Sequence, residues 1–80
     1  LGEYVQTEKQ TSNGRIDILL QTKDYIYVME LKVDSTADEA LKQIEEKGYA
    51  RPFAADPRRL YKIGVSFSTA TRRIEDWKIV

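Results

Sequence analysis

Two acidic residues interrupt stretches that are otherwise apolar. Asp17 lies between Ile16 and Ile18, and Glu30 lies between Met29 and Leu31 with Lys32 next in line. Charged groups inside an apolar strand are costly unless they are paired or hold a metal. Carboxylates brought side by side repel one another, and a cation between them relieves that repulsion. Oxygen ligands without histidine or cysteine suit Mg²⁺, Mn²⁺ or Ca²⁺. An ammonium beside such a site stabilises developing negative charge or helps to orient a water, which makes the set apparatus for hydrolysing a phosphodiester. The same residues also permit a plainer reading, in which Arg15–Glu30 and Asp17–Lys32 are salt bridges on a solvated sheet face. Composition narrows the chemistry further. The chain has no cysteine and no histidine, so disulfides, zinc fingers, thiol catalysis and histidine triads are excluded within it.

Whether Asp17, Glu30 and Lys32 meet depends on the elements that carry them. Arg15 to Leu20 and Tyr25 to Lys32 read as strands, the second being the stronger, and the polar Gln21 to Asp24 separates them. A two-residue turn at Lys23-Asp24 sets Asp17 opposite Glu30 and Arg15 opposite Lys32. A four-residue loop from Gln21 to Asp24 sets Glu30 opposite Arg15 and diagonal to Asp17. Both registers place Arg15, Asp17, Glu30 and Lys32 on one sheet face, and a single bulge or an odd loop would scatter them.

The rest of the chain supplies the scaffold. Glu3 to Thr7 is a weaker strand, followed by the turn formers Thr11-Ser12-Asn13-Gly14. Thr36 and Glu39 have capping-box spacing, Ala37, Ala40, Leu41 and Ile44 form one apolar stripe, and Gly48 is a natural helix stop. Pro52 and Pro57 bracket a loop or a short turn of helix. Tyr61, Ile63, Val65 and Phe67 alternate with polar or small residues as in a half-buried strand, Ser68 to Thr71 is a turn, and Arg73 to Val80 is a last strand. The predicted order is strand, strand, strand, helix, strand, strand: an α/β (α+β) fold with a mixed β-sheet and one main helix.

With 80 residues, 41% hydrophobic and 32% charged, the chain is one small globular domain, residues 1–80, with a modest core. It opens at Leu1 without methionine and reads as a piece of a longer protein. The lack of cysteine fits a reducing, cytoplasmic compartment, and no apolar run is long enough for a membrane span. The formal net charge is zero. That zero is a cancellation: residues 1–47 carry 6 basic and 10 acidic side chains, residues 48–80 carry 7 and 3. An acidic half beside a basic half is compatible with a metal site next to a phosphate-contacting surface.

Taken together, Gly14-Arg15-Ile16-Asp17, then Glu30-Leu31-Lys32, then Gln43-Ile44-Glu45-Glu46-Lys47-Gly48-Tyr49 resembles the PD-(D/E)XK nuclease superfamily. More narrowly, it resembles the nuclease-like domain at the C-terminus of bacterial ATPase-like (AAA-type) proteins. Lys62 to Ser68 and Asp76-Trp77 fit the same pattern, so the likeness covers most of the chain. The resemblance implies a restriction-endonuclease-like core and a metal-dependent nuclease acting on DNA or RNA, with Mg²⁺ or Mn²⁺ as cofactor. The alternative it leaves is a catalytically inactive nuclease-fold module that binds or regulates within the ATPase-like protein. It implies that Asp17 and Glu30 are metal ligands with the Leu31 carbonyl as a third, that Lys32 positions or activates water, and that Gln43 reaches the site from the helix. Glu8 reads first as an exposed strand-end glutamate, with a further acid of the same pattern as the lesser reading. Ile16 replaces the proline of the motif. The superfamily's leading helix has no counterpart in these 80 residues, which implies an uncovered apolar sheet face and an isolated fragment without activity that pairs as a homodimer or is marginally stable unless another chain covers that face. Its partners would be nucleic acid and an N-terminal ATPase-like domain, with no membrane.

The remaining conspicuous residues have ordinary roles on this reading. Tyr25 and Tyr27 belong to a core or an interface, Trp77 is a packing anchor, and Tyr49 faces the site or, as the favoured reading, caps the core. Arg51, Arg58, Arg59, Arg72 and Arg73 are surface charges, with phosphate contacts as the minority reading.

Overall fold

The computed structural model describes residues 4–10 and 15–80, with side chains from Asp17 onward. The turn formers at residues 11–14 lie outside the described residues, as do the side chains of Glu8 and Arg15. Five strands and one helix follow in order: β1 (Tyr4–Gln10), β2 (Arg15–Gln21), β3 (Tyr25–Val33), α1 (Ala37–Lys47), β4 (Arg59–Ser68) and β5 (Arg73–Ile79). A short 3-10 turn, Arg51–Phe53, follows the helix. The strands form one mixed sheet in the order β1-β2-β3-β4-β5. Only the β3–β4 pair is parallel, and the helix lies in the connection between those two strands. This is the α+β arrangement predicted from the sequence, and it matches a restriction-endonuclease-like core. No helix among the described residues is long and apolar enough to cross a membrane.

The helix forms where its capping residues place it. The Thr36 hydroxyl accepts the Glu39 N–H at 3.0 Å, and Asp38 and Glu39 sit at the positive end of the helix dipole. Ala37, Ala40 and Ile44 are buried as one stripe against the sheet. Ile44 packs with Ile26 and Val28 of β3, and Leu19, Leu41, Tyr49, Ala50, Phe53 and Leu60 close around them. Gly64 of β4 lets the helix come this near. A Cβ there would lie 2.4 Å from the Ala37 carbonyl oxygen and 2.9 Å from Leu41 Cγ.

Loop residues tie the strand ends together. Arg58 donates to both Asp56 oxygens at 2.8 and 3.0 Å, to the Thr22 carbonyl at 3.0 Å and to Gln21 Oε1 at 2.9 Å. Arg58 is therefore a half-buried clamp and not the solvated charge its loop position suggested. It joins the β2–β3 turn to the entry of β4, and its guanidinium holds the Asp56 carboxyl down at about 2. At the opposite end, Asp34 adopts a positive φ of 53° and accepts from Thr69 N–H and hydroxyl at 2.9 and 2.6 Å. These bonds hold its carboxyl below the ordinary carboxylate range.

The sheet face turned away from the helix carries Tyr25, Tyr27 and Tyr61, whose rings lie against one another with centroids 5.6–6.1 Å apart. Trp77 and Ile79 extend this apolar face along the edge strand. Trp77 is 63% exposed and Ile79 57%, so Trp77 does not anchor a core among the described residues. The anchor reading fails because β5 is paired on one side only and the helix touches it at its polar flank, where Lys78 meets Asp38 at 2.8 Å.

Candidate active site

β2 and β3 pair antiparallel with Gln21 opposite Ile26, the register of the two-residue turn. The turn is closed by the Thr22 hydroxyl, which accepts the Tyr25 N–H at 3.0 Å, while the Thr22 N–H donates to the Tyr25 carbonyl at 2.8 Å. That closure decides everything upstream of it. It places Asp17 directly opposite Glu30, and Arg15 opposite Lys32. Directly opposed residues in such a ladder have Cα atoms about 4.5–5.5 Å apart and share a face.

The face in question is the one beneath the helix. Glu30 has the same strand parity as Ile26 and Val28, and it is fully buried at 0% exposure. Asp17 is 8% exposed. On the other side of Glu30 the neighbour is Gly64, the residue that admits the helix backbone. The carboxylates therefore sit in a slot formed by β2, β3, β4 and the first turns of α1. Lys32 stands one step further along the same face, half-buried, with Ser66 as its neighbour on β4. The Ser66 hydroxyl is itself held, donating to the Ser35 carbonyl at 2.6 Å. Among the described residues Lys32 forms no ion pair, so the Asp17–Lys32 salt bridge of the plainer reading is not made.

Two further residues lie on α1 and just past its end. Gln43 is half-buried on α1, and its Nε2 donates to Glu46 Oε1 at 3.5 Å. Tyr49 lies just past the helix end and reaches the site itself: its hydroxyl donates to Asp17 Oδ2 at 3.0 Å. The core reading of Tyr49 is thus half correct, since the ring packs in the core and the hydroxyl serves the carboxylate. Its position one residue past Gly48 was the available signal. A glycine in the left-handed region turns the chain back toward the sheet, and Gly48 has φ 68°.

Leu31 lies between Glu30 and Lys32 toward the C-terminal end of β3. Glu8 occupies the β1 register position opposite Asp17. Among the described residues no group of three or more acidic, histidine or cysteine side chains forms a metal-holding cluster. The Asp17–Glu30 pair fits a hard divalent cation by its chemistry: both donors are carboxylate oxygens, and their mutual repulsion falls when a cation lies between them.

Comparison with known proteins identifies the family. The chain is 37% identical over 76 residues to the "Uncharacterized protein in vnfD 5'region" of Azotobacter chroococcum mcd 1, a match that covers 92% of this chain. The chain spans only 15% of that relative's length. No solved structure matches significantly. A family model matches residues 1–77, which include both strands of the carboxylate pair, the helix and Tyr49. The strand order, the paired carboxylates with lysine two residues on, and this match lead to one conclusion: the chain belongs to the PD-(D/E)XK nuclease superfamily.

Proposed function

We propose that this domain is a metal-dependent phosphodiester hydrolase acting on DNA or RNA, with Asp17 and Glu30 as ligands of Mg²⁺ or Mn²⁺. Nucleases of this superfamily typically use divalent metals. The observation that carries the reading is the placement of Asp17 directly opposite Glu30, with Lys32 on the same face of the same strand. The Leu31 carbonyl is the third ligand on this reading. A hard cation held there neutralises phosphate charge and lowers the pKa of water.

The chain's own residues supply the rest. Lys32 places an ammonium beside the carboxylates, where it stabilises charge developing on a phosphoryl oxygen and orients the attacking water. Gln43 offers an amide from the helix for a phosphate or water. The exposed arginines of the C-terminal half, Arg51, Arg59, Arg72 and Arg73, contact the nucleic-acid backbone. The domain works within a longer protein that carries an ATPase-like domain.

The burial of Glu30 favours a second reading, an inactive nuclease-fold module for binding or regulation. Assays of the full-length parent with Mg²⁺ or Mn²⁺ and generic DNA and RNA substrates separate the two. Asp17→Ala and Lys32→Ala should each lower cleavage by about 10²-fold or more. Normal cleavage by either variant would falsify its assigned role, and a parent that cleaves neither substrate would favour the binding module.

A further inference from the structure

Tyr49 is separated from Asp17 by 32 positions in sequence, yet its hydroxyl lies 3.0 Å from Oδ2. Three local features bring it there. Gly48, at φ 68°, closes the helix with its N–H directed to the Ile44 and Glu45 carbonyls at 3.1 and 3.2 Å. The Tyr49 N–H also points to the Ile44 carbonyl, at 3.3 Å. The ring then packs against the Ile26, Val28 and Ile44 cluster, which restricts its rotamer. A tyrosine held at ring and backbone keeps its hydroxyl against a carboxylate oxygen of the candidate metal ligand.

We propose that Tyr49 is a positioning residue for Asp17. Its hydroxyl bonds to Oδ2 and so sets the rotation of the carboxylate about Cβ–Cγ, presenting the group to the cation in one orientation. A hydrogen bond to a charged acceptor is among the stronger ones. Residues that orient a metal ligand in this way typically change metal affinity 10- to 100-fold when replaced. The inference rests on the reading of Asp17 as a metal ligand. It makes the end of α1 part of the metal site, since the helix stop at Gly48 determines where the hydroxyl lands.

The test is Mn²⁺ binding to the full-length protein, followed by electron paramagnetic resonance of free Mn²⁺. Tyr49→Phe keeps the ring and removes the hydroxyl, and Asp17→Asn run in parallel identifies the site concerned. Tyr49→Phe should weaken the Asp17-dependent binding by about 10-fold or more, with little change in the melting temperature measured in chelator. Wild-type affinity in Tyr49→Phe, with binding lost in Asp17→Asn, overturns the positioning role and leaves the metal-ligand reading standing. Wild-type affinity in Asp17→Asn overturns both. On the unsubstituted protein, Mg²⁺ should shift the carbon-13 resonance of Tyr49 Cζ in step with Asp17 Cγ. A Tyr49 signal that stays still while Asp17 saturates overturns the positioning role without any substitution.

Discussion

Asp17 and Glu30 face each other across a strand pair with very little contact with water, and on the proposed reading a cation held between them offsets their repulsion in the folded state alone. On that reading metal stabilises the fold as well as serving catalysis. At a Mg²⁺ or Mn²⁺ concentration 100-fold above Kd, the expected gain is about 2.7 kcal/mol. Denaturant melts with and without the metal measure it, and Glu30→Gln should abolish the gain. An equal response in the variant would remove Glu30 from the ligand set. At this scale the pair and its lysine were legible as residue types, because acids flanked by isoleucine, methionine and leucine stand out. The Tyr49 hydroxyl was only half legible, because a tyrosine after a helix stop reads as facing the site or as a core cap until its rotamer is known.

The strand pair and the helix decide where these side chains lie. The hairpin allowed two registers, and hydrogen bonds at Thr22 and Tyr25 select the tighter one. The helix lies close over the slot because β4 offers Gly64 at the contact. Gly64→Ala should push the Ala37 carbonyl and Leu41 away and cost about 1–3 kcal/mol, readable by urea unfolding; a neutral substitution would mean that the helix can shift without penalty. The β2–β3 turn is clamped from outside by Arg58 and Asp56. The Asp56 carboxyl titrates near 2 in the fold against 3.8 ordinarily. A depressed folded value stabilises the protein above the ordinary pKa and ceases to do so as pH falls through the folded one. The stability difference between wild type and Asp56→Asn should thus shrink as pH drops from about 4 to about 2. Urea midpoints across that range test this, and a pH-independent difference would rule it out. The clamp escaped sequence reading because arginines in loops are usually solvated, and only the approach of Gln21 and Thr22 gives this one its partners.

Over the whole molecule the two sheet faces differ. One is covered by α1 and carries the carboxylates, while the other presents the tyrosine trio, Trp77 and Ile79. For the 80-residue chain by itself, the cover available to that second face is another copy. Sedimentation velocity should show association at high micromolar concentration, which Trp77→Ser with Ile79→Ser should weaken. A monomer throughout would refute it. Much of the architecture was legible in the sequence. Strand alternation, the Thr36–Glu39 cap and the Gly48 stop are local signals, since they depend on side-chain period and backbone preference within a few residues. They settled the element order, and parity settled that Asp17, Glu30 and Lys32 would share a face in either simple hairpin. The tertiary structure alone decided which register forms, that this face lies beneath the helix, and that Tyr49 reaches Asp17 across 32 positions. Those outcomes depend on contacts between residues far apart in the chain, and local preference carries no information about such contacts until the sheet and helix have packed.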